Sequence, residues 1–346
     1  VCLNTMRYSI HSKKILKIFV KKKTKIPQYI LLSSAITQLV FLNIKPYAVV
    51  NETVEVAKNI GLYPAFINAV LNKIVKKINV LKKTKISIND MPTWVKSEIN
   101  IQKELKFDTF LNSYFLESSL HLVFKNNKYI KNFKEDYSLS TDKSVFINHN
   151  KKVSQLSNYK EGHWWVQNFS SMLPIILNKN ITNKTVLDLC GAPGGKSFQI
   201  LSQNKNLVIN DISKKRIEIL KENMSRLNFN TKIKNLDALN FPEDKKYDIV
   251  LLDAPCSSIG TIRSNPEILF KTKEPDIKNL CRLQKNLLEK SSKLVKPNGI
   301  ILYMVCSFLF SETVEQIINF LKKNKSFSIL KYKQIHYVTE HKKTKS

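Results

Sequence analysis

Through the second half of the chain, short apolar runs alternate with longer amphipathic stretches, and this alternation narrows the fold more than any other feature. The runs Thr185–Leu189, Leu207–Asn210, Lys232–Asn235, Asp248–Leu252 and Gly299–Val305 read as strands. Lys214–Leu227 and Ile277–Leu294 read as helices between them. Apolar strands separated by helices predict a parallel sheet covered on both faces. Ligands of such sheets bind beyond the carboxyl ends of the strands. The expected fold is therefore an α/β Rossmann-like domain over 161–346.

The preceding residues differ in character. Residues 1–88 read as an all-α domain. Ile30, Leu31, Ser34, Ala35, Gln38, Leu39 and Leu42 fall at helical spacing, and Phe66, Val70, Leu71 and Ile74 form a further stripe. Asn51 is placed to cap a helix that has Glu52 and Glu55 in its first turn. Met91-Pro92-Thr93-Trp94 breaks that pattern. Residues 89–160 then read as a small α+β segment with strands at Leu120–Phe124 and Ser144–Ile147.

The densest local signal is Val186-Leu187-Asp188-Leu189-Cys190-Gly191-Ala192-Pro193-Gly194-Gly195-Lys196-Ser197. A strand ends in an acid, and a Gly/Pro-rich loop then opens a helix. A phosphate loop would need a glycine where Cys190 stands, and the dinucleotide spacing G-x-G-x-x-G is not met. Beside a mere tight turn, which explains the glycines but not their setting between strand and helix, there is a loop whose backbone passes close to the amino-acid part of S-adenosylmethionine, an approach that residues without a Cβ permit. Asp188, Asp211, Asp237 and Asp253 each stand at or just beyond the end of a successive strand. Singly each could be a cap or turn residue. Together they suit a nucleoside cofactor: Asp211 for the ribose hydroxyls and Asp237 for the adenine amine.

Two cysteines follow the last two strands, Cys256 within Asp253-Ala254-Pro255-Cys256 and Cys306 after Val305. A thiol beside a cofactor pocket is a nucleophile candidate. Methylating carbon 5 of a pyrimidine needs such a nucleophile, because attack at carbon 6 breaks the aromaticity and makes carbon 5 enamine-like. Asp253 is well placed to support charge at ring nitrogen 3.

Composition supplies the partner. Lys plus Arg number 57 against 27 Asp plus Glu, a net charge of +30, which points to a polyanion. Only Arg7, Arg216, Arg226, Arg263 and Arg282 are arginines, so the excess is almost all lysine. Five cysteines without C-x-x-C spacing suggest neither a disulfide framework nor a metal site, and fit a cytoplasmic protein. No run is long and apolar enough to span a bilayer. The chain begins at Val1 rather than Met and reads as a fragment.

These residues carry a resemblance. The chain resembles the RNA cytosine-C5 methyltransferases of the NOL/NOP/Sun family. The matching stretches are Glu161-Gly162-His163-Trp164-Trp165-Val166-Gln167, the Cys190–Ser197 loop, and Asp253-Ala254-Pro255-Cys256-Ser257 with Gly260 and Arg263. Pro266-Glu267, Leu283-Gln284, Lys296-Pro297-Asn298-Gly299 and Cys306-Ser307 followed by Glu312 complete them. Residues 50–58 and 66–71 are similar to the NusB-like helical domain that some members carry. The resemblance implies S-adenosylmethionine as cofactor, small-subunit (16S) ribosomal RNA as partner, no metal, and a monomer. It assigns the nucleophile to Cys306 and breakdown of the covalent adduct to Cys256. It implies cofactor contacts by Cys190, Gly191, Ala192, Pro193, Gly194, Gly195, Lys196, Asp211, Asp237 and Asp253. Departures are Val305 where the family has Thr, Gly191 where it has Ala, and Thr313 where it has Asn. The family's Arg-Val-Asn stretch and its closing Gly-Phe-Phe have no counterpart, and the chain ends in Lys342-Lys343-Thr344-Lys345-Ser346. Two rivals remain beside this reading: the same chemistry on transfer RNA, and a non-catalytic RNA-binding assembly factor.

Overall fold

A computed structural model describes residues 1–22, 24–101, 107–116, 118–148, 151–178, 181–270 and 275–330. The closing run Lys342–Ser346 lies outside them. The backbone packs into two compact units, Val1–Glu117 with Ser258–Glu274, and Ser118–Ser257 with Pro275–Ser346.

The first unit is helical. Ser9–Phe19, Ile26–Ile36, Pro46–Asn59 and Pro64–Val75 bury Ile15, Leu32, Ile36, Leu39, Ile67, Leu71 and Ile74 against one another. Of the stripe expected from Ile30, Ala35 and Leu39 are buried, but Ile30 is exposed, and Leu32, Ile36 and Val40 face the core as well. The segment is apolar on nearly all sides, so spacing alone does not choose its buried face. Thr37–Phe41 also widens into a π-helical turn, which shifts the face again. Asn51 is not a cap. It lies inside Pro46–Asn59, which starts earlier because Pro46 takes the first helical position and Lys45 flanks it. The segment 258–274 is built into this unit. Its turn Pro266–Phe270 packs on the helix Cys2–Arg7, and the buried Arg7 guanidinium donates to the Arg263 carbonyl at 2.8 Å.

The second unit holds two sheets. Strands β1 (Leu120–Phe124), β2 (Tyr137–Thr141), β3 (Ser144–Ile147) and β4 (Trp164–Val166) form an antiparallel sheet in the order β2-β3-β1-β4. Phe124, Val145 and Trp164 fill its core. Gly162 enters β4 at φ +65°, and a Cβ there would run into the Arg226 backbone, so only glycine fits.

Strands β5 (Val186–Asp188), β6 (Leu207–Asn210), β7 (Lys232–Lys234), β8 (Tyr247–Asp253) and β9 (Val295–Met304) form the second sheet, all parallel, in the order β7-β6-β5-β8-β9. Along β8, Ile249 and Leu251 join one hydrophobic layer while Val250 and Leu252 join the other. Both faces are buried, which is why the strand reads as an unbroken apolar run. The strand order reverses at β5, and the crevice at that reversal is where a ligand sits in such sheets. Buried Asn210 ties the strand ends there. Its amide donates to the Leu189 and Leu236 carbonyls, and its oxygen accepts from the Leu236 N–H.

Candidate active site

The loop after β5 turns tightly into the helix Gly195–Leu201. Gly194 stands at φ +112°, and a Cβ there would strike the Phe198 ring and Leu220, so the turn requires glycine. At Gly191, where the resembling family has Ala, a Cβ would press on the Asp188 carboxylate and on Ile209 at 2.7 Å. The loop borders a cleft of about 230 Å³ lined by Val166, Gln167, Asn168, Ser171, Asp188, Gly191–Lys196, Arg216 and Asp253.

Asp188 is fully buried at the floor of this cleft. Its Oδ2 accepts the Ser197 hydroxyl at 2.6 Å, while its Oδ1 meets no donor among the described residues. Burial pushes its carboxyl up to about 7, partly opposed by the Ser197 bond, with the charges of Asp253 and Asp211 adding to the rise. A buried acceptor without a donor is costly. An ammonium arriving in the cleft would satisfy it. Gly195 is open above, with Gln167 no nearer than 3.6 Å to a built Cβ. A cleft of this shape, with an acid for an ammonium and bare backbone beside it, fits the methionine end of S-adenosylmethionine.

The other expected cofactor residues divide. Lys196 and Asp253 meet in an ion pair of 2.6 Å at the cleft wall. Asp211 is buried and braces the loop: its Oδ2 accepts the Ala192 N–H, its Oδ1 accepts the Ser213 N–H, and Arg216 lies 3.5 Å away. Asp237 caps a short turn, accepting the Leu239 N–H at 3.0 Å. Neither lines the cleft, and nor does Cys190. Burial, with Asp188, Asp211 and Asp253 nearby, pushes the Cys190 thiol up to about 12.

The two chemical cysteines come together. Strands β8 and β9 are neighbours, and the Ala254 N–H donates to the Met304 carbonyl at 2.9 Å, so both loops leave the sheet side by side. Cys256 Sγ and Cys306 Sγ lie 3.1 Å apart, with Cys306 exposed and Cys256 partly so. Beneath them Glu312 is wholly buried, accepting from the Ser257 N–H at 2.9 Å, the Ser257 hydroxyl at 2.5 Å and the Gln284 amide at 3.0 Å.

Sequence reasoning missed Gln167 and Arg216 as cleft walls. Gln167 arrives through β4, where its oxygen accepts the Trp165 indole N–H and its amide donates to Gln199. Its place in the Glu161–Gln167 motif was the available signal. Arg216 gave none, being one basic residue in a basic helix.

Parallel sheet, glycine cleft and buried acid together define a Rossmann-like methyltransferase of the S-adenosylmethionine-dependent class. A family model for 16S rRNA methyltransferase RsmB/F matches residues 174–345, and one for the NusB family matches residues 1–76. Residues 174–345 thus match the RsmB/F methyltransferase family, and a NusB-type segment precedes them in the same chain. It is 37% identical over 177 residues to "Ribosomal RNA small subunit methyltransferase B" of Photorhabdus laumondii, spanning 50% of this chain and 41% of that protein. The protein of the same name from Shewanella oneidensis is 28% identical over 307 residues, spanning 83% of this chain and 71% of that one. Among solved structures, PH0851 superposes with a TM-score of 0.69 at 22% identity, covering 92% of this chain and 78% of its own. NSun6 from Pyrococcus horikoshii, solved with SFG, gives 0.56 at 16%, covering 66% and 87%. These two share the fold.

Proposed function

We propose that the protein methylates carbon 5 of a cytosine in 16S ribosomal RNA through a covalent cysteine adduct, acting as a cytoplasmic monomer. The observation that carries this is the 3.1 Å approach of the Cys256 and Cys306 sulfurs at the ends of adjacent strands, next to the Lys196–Asp253 pair. Methylation of an exocyclic or ribose atom has no use for two thiols, whereas carbon 5 needs one to attack and a second group to release.

S-adenosylmethionine supplies an electrophilic methyl group; the Gly191–Lys196 backbone and Asp188 would hold it. The flipped base enters above the thiols. Cys306, the more exposed sulfur, bonds to carbon 6 as thiolate. The proton shared by Lys196 and Asp253 passes to ring nitrogen 3, where the displaced electrons gather. With carbon 5 methylated, Cys256, its own proton given up to solvent, takes the carbon-5 proton as thiolate and afterwards releases it to solvent. The electrons of that C–H bond restore the ring double bond, and Cys306 leaves as thiolate. The nitrogen-3 proton then returns to the Lys196–Asp253 pair.

The test is methyl transfer from labelled S-adenosylmethionine to naked small-subunit ribosomal RNA, with transfer RNA as control and bisulfite mapping of the product. One protected cytosine in ribosomal RNA, absent with Cys306→Ala, is the expected result. Cys256→Ala should trap RNA covalently. Cofactor and RNA binding without transfer would sink the catalytic reading.

A further inference from the structure

We infer that Glu312, together with Gln284, is the positioning device that holds Cys256 for release of the adduct; this rests on the covalent route above. The residues on either side of Cys256 lie beyond the end of β8. Side chains hold both. The Pro255 carbonyl accepts from the Gln284 amide at 2.9 Å, and the Ser257 N–H donates to Glu312 Oε1 at 2.9 Å. The same Gln284 amide also donates to Glu312, so the two side chains form one clasp under the loop. Both are 0% exposed.

Glu312 also belongs to the Cys306 loop. Its own carbonyl accepts the Tyr303 hydroxyl at 2.7 Å, which closes the stretch from Tyr303 to Glu312 around Cys306. Ser257 and Ser307, each directly after a cysteine, bring their hydroxyl oxygens to 3.3 Å. Glu312 is thus fixed to the Cys306 loop by its backbone and to the Cys256 loop by its side chain. It sets the spacing between the two sulfurs. Packing alone does not call for a carboxylate here, because a buried charge is expensive unless its partners are all donors. Here they are: a backbone N–H, a hydroxyl and an amide. A glutamine at this position would turn an NH₂ group towards at least one of those donors while keeping the volume.

Release depends on Cys256 reaching the carbon-5 proton, whereas attack uses Cys306 and the Lys196–Asp253 pair and not Cys256. Loosening the clasp should therefore slow release more than attack. The experiment uses the full chain with small-subunit ribosomal RNA and S-adenosylmethionine. It reads turnover, the fraction of protein in denaturant-resistant RNA adduct, and the melting temperature. Glu312→Gln should lower turnover roughly tenfold, the scale of one hydrogen bond to a charged group. The adduct fraction should rise several-fold, towards that of Cys256→Ala, and vanish when Cys306→Ala is added. Gln284→Met, which releases only the Pro255 carbonyl and one Glu312 contact, should move both readings the same way by less. A merely structural role would lower adduct and product in parallel. That outcome, or unchanged adduct in a folded Gln284→Met, overturns the inference. Failure of Cys256→Ala to trap any adduct would instead strike the covalent route itself.

Discussion

The carboxyl edge of the parallel sheet has two halves, and a cysteine stands in each. Cys190 follows β5 among Asp188, Asp211 and Asp253, and its thiol is driven far from ionisation by burial and those charges. Cys256 and Cys306 follow β8 and β9, where the nearby buried carboxylate of Glu312 is saturated by three donors. Position after a strand is the same in all three. What differs is burial, Cys190 being enclosed among carboxylates while Cys306 is exposed, and under the function proposed above this separates a half that holds the cofactor from a half that does nucleophilic work. Acids that favour a sulfonium and an ammonium disfavour a thiolate, and of the three acids only Asp253 stands on the strand that leads to Cys256, where Lys196 pairs with it.

The sharpest way to break this comparison is Cys306→Ala, which should lower methyl transfer by roughly 10³-fold or more while leaving cofactor affinity intact. A variant that loses cofactor binding as well would mean the halves are not separate. Next in size is Lys196→Met, which strips Asp253 of its 2.6 Å partner at the boundary between them. Steady-state kinetics should show a loss of about tenfold or more, chiefly in kcat. Gly194→Ala attacks the cofactor half through the backbone. With φ at +112° and the Phe198 ring in the way, it should cost about 2–3 kcal/mol of stability, read by denaturant titration. Alkylation under native conditions, followed by peptide mapping, should label Cys306 at least roughly tenfold faster than Cys190.

The smallest expected effect is a pH dependence. Asp188 has its carboxyl raised to about 7 from an unfolded value of 3.8. A raised acid holds its proton longer in the folded state, so its contribution is full below 3.8 and is lost as pH climbs through about 7. Without cofactor, the melting temperature should fall over that window, and Asp188→Asn should flatten the slope. Cofactor affinity should climb over the same range if the ionised carboxylate meets the ammonium. An affinity independent of pH would remove Asp188 from the binding half.

Much of the sheet was legible because its strands are buried on both faces. Leu207–Asn210 and Ile277–Leu294 emerge with the ends expected of them, since apolar runs and a strong amphipathic period leave little choice. The helical unit was less legible at Tyr29–Ile44, where hydrophobicity on all sides hides the buried face. Among site residues, the two thiols lie together after neighbouring strands, while the Lys196–Asp253 pair is seen only in the structure. Asp211 and Asp237 are expected to face a ligand; each also accepts a backbone N–H, a local role that a sequence does not reveal. Gln284 and Glu312 stood out only as matched motif residues, because the hydrogen bonds that give them meaning join segments far apart in the chain.

The excursion of residues 258–274 into the helical unit bears on how such a chain can be cut or recombined. The polypeptide leaves the catalytic fold immediately after Ser257, runs through Arg263 against Arg7, and returns at Pro275. Deleting the first 117 residues would therefore not shed an accessory cleanly. It would strip the packing from a stretch that interrupts the sequence of the second unit, so the two units are interleaved along the chain rather than joined at a single seam.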